Sequence, residues 1–337
     1  MTAPEPFASR WKRRVVSIPI MLAATAISVA GFPIIVAAAA VSDIALLRFR
    51  FSTVRVAVFV VQYALNDTAE ILLAPILWVM AGFGTRLGAP MSVRRHQRLQ
   101  AWSIAILARR AERLLGLRLE LDPDAEDALE PGPVIVLCRH VNIVDASLPA
   151  LIYQRLGYRA QGVIMAELLA DPGFDLLYGR TGSVFIPRDN GPEARAQVAQ
   201  LGHGTDSRTA LVIFPEGRLF RPDRRDRSLA RLTERDPDRA RRLNGITHVI
   251  PPRPGGVLAL LDAAPGTDVV VIAHRGLDPY PTFRELARAV PLRHPVRVTA
   301  WRVPAADIPT GDDKRTAWLD DQWCRVDAWI DTHAPTP

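Results

Sequence analysis

Two side chains in the segment R-H-V-N-I-V-D, residues 139–145, have the types and spacing for proton chemistry. His140 stands two residues beyond the apolar run Val134–Cys138, and Asp145 follows five positions later. An imidazole with one nitrogen held by a carboxylate is a general base. The acid fixes the tautomer and stabilises the imidazolium, while the other nitrogen takes a proton from a hydroxyl. Residues five apart do not share a helical face, because side-chain neighbours there are three and four apart. The pair therefore meets if His140 lies in a loop after a strand and Asp145 in the first helical turn that follows. Strand ends of α/β folds are where such groups gather.

Three more segments place charged or backbone-exposing residues at or just after apolar runs: G-S-V-F-I-P-R at 182–188, F-P-E-G-R at 214–218 and H-V-I-P-P-R-P-G-G at 248–256. Other chemistries lack their signatures. There is no G-x-G-x-x-G after a strand, no Walker lysine loop, no H-E-x-x-H, no C-x-x-C and no G-x-S-x-G, which disfavours dinucleotide enzymes, P-loop enzymes, zincins and serine hydrolases. Cys138 and Cys324 are too few for a disulfide framework or a cysteine zinc site; no metal is expected. The histidines at 96, 203, 248, 274, 294 and 333 are read as structural or solvated.

Positioning these groups requires a rigid frame. Short continuous apolar runs at Val134–Cys138, Gly162–Met165, Ser183–Ile186, Ala210–Phe214, Val269–Ala273 and Val296–Trp301 read as strands of a sheet covered on both faces. Helices are expected over Ala146–Leu156, Pro192–Gly202 and Thr316–His333. Alternation of strand and helix predicts an α/β class.

The ordered signatures H-x-x-x-x-D, G-x-x-F-I-x-R, F-P-E-G and a late proline-bearing block resemble the glycerophospholipid acyltransferases, specifically the lysophosphatidate acyltransferases. The resemblance runs from about Pro133 to Leu261, and Glu167-Leu168 with Pro172-Gly173-Phe174 is similar to the segment between the first two signatures. It implies the glycerolipid acyltransferase fold, a mixed, largely parallel sheet covered by helices. It also implies that His140 deprotonates the free hydroxyl of a lysophospholipid acceptor, oriented by Asp145, and that the hydroxyl attacks an acyl thioester. The donor is acyl-CoA or acyl-ACP, used as a co-substrate, and no cofactor is implied. By the same resemblance Arg188 binds the acceptor phosphate, Glu216 and Gly217 shape its pocket, and Arg253 is a second anion contact.

Departures from the pattern fall around the site. Arg139 precedes the histidine where the family often has Asn, and Asn142 replaces the common Ser. Gly217 is followed by Arg218, Leu219 and Phe220, so Arg218 or Arg221 takes the place of the usual arginine. These leave acyl transfer intact and open the acceptor headgroup: lysophosphatidate, another lysophospholipid or a lyso-aminolipid. A catalytically silent lipid-binding protein is the reading from another class.

The chain also carries a charge excess, 42 Lys and Arg against 35 Asp and Glu with Lys only at 12 and 314, which calls for an anionic partner. Nucleic acid and phospholipid both qualify by charge, and the apolar patterning selects lipid. No charged residue interrupts Val15–Val41, and about 20 apolar residues cross a hydrocarbon core. The stretch exceeds the ~7–15-residue core of a signal peptide. A second apolar stretch, Val56–Gly84, is broken only by Asp67 and Glu70. A carboxylate at the bilayer centre costs at least ~2.5–3.5 kcal/mol, so this is one span with its acids facing protein or headgroups, or two short segments of which one dips into the interface. Basic residues before, between and after the stretches favour a hairpin with both ends cytoplasmic. Residues 1–85 are thus expected to form a transmembrane or interfacial hairpin anchoring an acyltransferase domain, 86–337, that faces the cytoplasm from the cell membrane. Arg94–Leu117 reads as an amphipathic helix. Arg221–Arg242, with nine Arg and five acids, is either a solvated self-paired segment or a contact for anionic headgroups.

Overall fold

The computed structural model describes residues 7–129, 132–187, 192–203 and 205–333. The chain divides into two compact units: one of residues 1–118, 164–193 and 287–293, the other of 119–163, 194–286 and 294–337. The helical unit thus extends well past residue 85.

The apolar runs become a sheet. Its strands are β1 (Leu119–Leu121), β2 (Val134–Cys138), β3 (Arg159–Met165), β4 (Val184–Ile186), β5 (Thr209–Ile213), β6 (Asp268–Arg275) and β7 (Val296–Val303). Their order is β1-β7-β6-β2-β5-β3-β4, with β3 running across the boundary between units. β2 pairs in parallel with β5, Val136 opposite Val212, and with β6, Val136 opposite Val270. β6 and β7 are antiparallel, so the sheet is mixed and largely parallel. Every residue of β2 and β5 is buried, as expected for strands covered on both faces. Of the seven strands only β1 falls outside the apolar runs; its three residues, L-E-L, are too short to signal.

The helical unit opens with α1 (Phe7–Ala30), α2 (Phe32–Ala45), α3 (Ser52–Met80) and α4 (Pro90–Arg110). The stretch expected as one span, Val15–Val41, is two helices. The break falls at Gly31, and Pro33 sits in the first turn of α2, where its missing N–H is tolerated. Pro19 lies inside α1 without ending it. α3 is a single helix. Its first turn lacks a capping side chain of its own, and the buried Asp43 of α2 accepts from Thr53 N at 3.2 Å and Val54 N at 3.0 Å instead.

This unit buries polar groups beside an apolar cluster of Ile71, Ala74 and Leu176, and turns many large apolar side chains outward. α4, expected as part of an amphipathic helix, buries Ser92, His96, Gln100 and Ser103, and Trp102 is 45% exposed. Those polar residues meet the acids of α3. Asn66 Nδ2 donates to Ser103 Oγ at 2.6 Å, Ser103 Oγ donates to Glu70, and Arg180 and His96 are joined at 3.1 Å. Asp67 and Glu70 are each 4% exposed and crowd Gly173, where a Cβ would stand 2.7 and 2.6 Å from their oxygens. That close approach explains the glycine of the Pro172-Gly173-Phe174 segment. Both acids therefore face protein. Ile27, Ile34, Leu72 and Ile76 are turned outward.

The second unit holds, over all or most of their length, α5 (Leu148–Arg155), α6 (Pro192–Leu201), α7 (Pro222–Arg235), α8 (Pro237–Leu243), α9 (Pro254–Ala263) and α10 (Asp312–Thr332) among its helices. Arg239 of α8 ties two segments to this frame. Its guanidinium forms a forked pair with buried Asp320 of α10 at 2.8 to 3.1 Å and donates to Pro252 O at 2.6 Å, just ahead of Arg253. Removing one member of a buried pair strands the other charge. Arg239→Ala is expected to lower unfolding stability by about 3–5 kcal/mol. Arg227→Ala, which breaks an exposed pair with Asp223, should change it by no more than ~0.5 kcal/mol. Equal effects in denaturant titrations would contradict this account of the frame.

Candidate active site

β2 ends at Cys138, and the chain then builds a capping motif. Asn142 caps the short 3-10 turn Ile143–Ser147, accepting from Val144 N at 3.0 Å, while Asp145, the third residue of that turn, reaches back to the loop. Its Oδ2 accepts from Val141 N at 2.5 Å and Asn142 N at 2.7 Å. Its Oδ1 lies 2.5 Å from His140 Nδ1. The N-x-x-D sequence that makes a capping box thus also closes the five-residue interval between base and acid. Asn142 in turn donates from its side chain to Tyr280 O.

Asp145 is fully buried and His140 keeps 18% of its side chain exposed. With Asp145 oxygen as acceptor, Nδ1 of His140 carries the proton and Nε2 presents a lone pair. Among the described residues nothing bonds Nε2. The ring packs on Phe214, centroids 4.5 Å apart.

The loop after β5 is strapped to this one. Glu216 is 0% exposed, so its carboxylate is a strut rather than a surface of a pocket. Oε1 accepts from His140 N at 3.1 Å, and Oε2 accepts from Ile250 N at 3.0 Å. Phe220 N donates to His140 O at 2.7 Å. Gly217 holds a left-handed backbone, φ +63°, and a Cβ there would stand 3.3 Å from Arg253 Cδ; its side-chain-free turn lets Arg253 lie across the loop. Arg253 N donates to Pro215 O at 2.8 Å. Arg218 is exposed beside it, and the like charge of Arg218 helps to depress the Arg253 pKa, after burial. The structure therefore gathers His140, Asp145, Glu216, Gly217, Arg218 and Arg253 around two neighbouring loops. Arg188 lies outside the described residues.

Three groups in the site were not among the sequence candidates. Arg139 is 0% exposed. It donates to His248 O at 2.7 and 3.2 Å, to His274 O at 2.9 Å and to Asp278 Oδ1 at 2.5 Å. Burial pushes the Asp278 carboxyl up, but Arg139 outweighs it and holds the pKa below the usual range. His274, read as structural, lies within reach of the catalytic acid. Cys138 pairs with Ile272 in parallel register, so His274 falls level with His140. Its Nε2 bonds Arg139 O at 3.0 Å and lies 3.5 Å from Asp145 Oδ2. Burial lowers its pKa, so it stays neutral. Its place at the end of an apolar run is the same signal that singled out His140. Cys138 is fully buried and its thiol pKa is raised, by burial first. Among the described residues no cluster of three or more His, Cys, Asp or Glu is arranged to hold a metal ion.

A tautomer-fixed imidazole, backed by a buried carboxylate and flanked by guanidinium groups that, like its Nε2, have no partner among the described residues, suits proton abstraction from a hydroxyl near an anion. Residues 123–276 match the family model described as Acyltransferase. No curated protein is significantly similar to the chain. Among solved structures, the 1-acyl-sn-glycerophosphate (LPA) acyltransferase PlsC from Thermotoga maritima is similar at 15% identity, with a TM-score of 0.48 over 82% of this chain and 99% of that one.

The strut makes a pH prediction. Burial pushes the Glu216 carboxyl up to about 7, against the opposing pull of Arg139 and of the His140 and Ile250 amides. A carboxyl raised in the folded state contributes stability that is complete below its ordinary value of 4.5 and is lost as pH rises through about 7. Glu216→Gln is expected to flatten the fall in thermal midpoint across that window. An unaltered slope would show that Glu216 does not titrate there.

Proposed function

We propose that this acyltransferase moves a fatty acyl group from a thioester donor, acyl-CoA or acyl-ACP, to the free hydroxyl of lysophosphatidate, giving phosphatidate. The observation that carries the reading is the 2.5 Å contact of His140 Nδ1 with the buried Asp145 carboxylate, which leaves Nε2 unpartnered at a strand end. Nε2 takes the hydroxyl proton as the oxygen attacks the thioester carbonyl. The tetrahedral intermediate collapses, the C–S bond breaks, and the imidazolium returns its proton to the departing thiolate. Asp145 remains ionised throughout and stabilises the imidazolium. No covalent acyl-enzyme forms.

Arg218 and Arg253 supply the acceptor's phosphate site in this reading. Guanidinium groups pair with phosphate oxygens through two parallel hydrogen bonds, and among the described residues neither arginine has a carboxylate partner. Arg188 is a further phosphate contact carried from the sequence resemblance.

Membrane association belongs to the same proposal. Two helices, Ala8–Ala30 and Ser52–Met80, have the length and apolarity to cross a bilayer. Support comes from the inverted packing around them: Ile27, Ile34, Leu72 and Ile76 turn outward while Asp67, Glu70, Asn66, His96 and Ser103 are buried. Water as sole solvent disfavours that arrangement, whereas lipid favours it. A cell-membrane enzyme with its catalytic domain on the cytoplasmic side follows, where the thioester donor is at hand.

Purified protein in detergent, given lysophosphatidate and long-chain acyl-CoA, is expected to release free thiol. His140→Ala should lower the rate by ~100- to 10,000-fold, the usual contribution of a general base, with the fold retained by circular dichroism although the loss of a partner for buried Asp145 lowers the melting point. Arg253→Gln should raise KM for lysophosphatidate by about tenfold or more, as the loss of a charge-assisted contact worth ~1.5–3 kcal/mol implies, and leave kcat nearly intact. Retained turnover in His140→Ala would remove the mechanism. A KM unaltered in Arg253→Gln, with another lyso-lipid preferred, would move the acceptor away from phosphate monoesters.

A further inference from the structure

α7 has no buried residue, so core packing does not account for it. Its arginines separate into two sets. Arg225 pairs with Asp226, and Arg227 with Asp223. Arg221 at the N-cap, with Arg224, Arg231 and Arg235, has no carboxylate partner among the described residues. These four fall at intervals of three, seven and four residues, which places them along one flank of the helix. The acid-paired arginines fall to either side of that stripe.

The stripe begins at the catalytic loop. Arg224 Nη1 donates to Leu219 O at 3.1 Å, and Phe220 bonds the carbonyl of His140. Buried Arg221 Nε has no hydrogen-bond partner. Like charges crowd here: burial and then the charges of Arg221, Arg218 and Arg227 lower the Arg224 pKa, and Arg218 with Arg231 does the same to Arg253 after its burial. Positive groups that outnumber the acids near them, Asp223 being the acid that acts on Arg224, make a place for an anion.

One phosphate monoester occupies one or two guanidinium groups, which Arg218 and Arg253 already supply. The stripe from Arg221 to Arg235 is ~21 Å long at 1.5 Å per residue, longer than the phosphates of one small donor cover. An array of headgroups matches it. The half-buried Leu229 and Leu232 beside it complete the pattern of a helix lying along an interface.

We infer that the Arg221, Arg224, Arg231 and Arg235 flank of α7 docks on the anionic phospholipid headgroups of the bilayer, at the mouth of the His140 site. The choice of lipid over another polyanion rests on the acyltransferase reading, in which the acceptor is itself an anionic lipid delivered from that surface. Docking then presents the acceptor's phosphate to Arg218 and Arg253 without its leaving the headgroup layer.

Hydrogen–deuterium exchange on the full chain tests this. The protein is reconstituted in nanodiscs of phosphatidylcholine alone or with about 30 mol% phosphatidylglycerol, an anionic surface of the kind that attracts basic segments. Amides of 222–235 are expected to exchange at least about fivefold more slowly on the anionic discs, the factor that one arginine near such a surface contributes. The difference should vanish near 1 M salt, where the screening length is ~3 Å, and in Arg224→Gln/Arg231→Gln/Arg235→Gln, whose helix is checked by circular dichroism. Equal exchange on both discs overturns the inference. So does equal protection in detergent by free CoA or an acidic acyl carrier protein, which would make the stripe a donor site. Thiol release is measured separately on the same samples. Protection without turnover would sink the acyl-transfer reading and keep the surface; turnover without protection would do the reverse.

Discussion

A carboxylate taken wholly out of water is the constraint on which the candidate site depends. Asp145 is fully buried, and an unpaired charge in that position costs several kcal/mol. Two backbone amides, Val141 N and Asn142 N, satisfy one oxygen, and the His140 ring satisfies the other. That arrangement exists only if β2 stops at Cys138 and the next residues fold back as a capping box. The geometry of the base is therefore a by-product of satisfying the acid.

Parallel pairing explains why the supporting groups lie where they do. β2 lies between β5 and β6 and runs in their direction, so the loops that follow all three strands leave one end of the sheet. Glu216 comes from the loop after β5, His274 and Asp278 from the end of β6, and His140 from the end of β2. Arg139 links two of these ends by bonding the carbonyl of His274 and the carboxylate of Asp278, and it adds the carbonyl of His248. A buried arginine filling all these acceptors is a rigid brace. An asparagine at this position would be shorter and have fewer donors, so Arg139 belongs with the acceptors around it: His248 O, His274 O and Asp278.

Much of this was legible in the sequence. Six of the seven strands coincide with continuous apolar runs because strands covered on both faces need apolar residues at every position, and the His140–Asp145 interval carried its own geometric requirement. What escaped depends on partners distant in the chain. Glu216 reads as a pocket residue in F-P-E-G, yet its burial follows from amides at His140 and Ile250, which no local pattern encodes. His274 and Arg139 are joined by strand register, and register is a property of pairing rather than of either strand alone. The break at Gly31 was obscured because both flanking segments are apolar and helical; only Gly31 and Pro33 mark it.

The burial of the polar face of α4 has a more general cause. Apolar periodicity identifies the buried face of a helix when water is the solvent. α4 carries two stripes, apolar Leu99, Trp102, Ile106 and Leu107, and polar Ser92, His96, Gln100 and Ser103, and the second is the one turned inward. Its partners explain the choice. The interior of the helical unit already holds Asn66, Asp67 and Glu70 from α3, and these groups need donors. An apolar face against them would strand three polar side chains, whereas the polar stripe supplies Ser103 to Asn66 and Glu70. Of the apolar stripe, Trp102 is then exposed, which lipid tolerates, while Leu99, Ile106 and Leu107 stay half-buried. The same row of residues thus settles two questions at once: how α3 keeps acids in an apolar helix, and why the surrounding helices expose their hydrophobic sides.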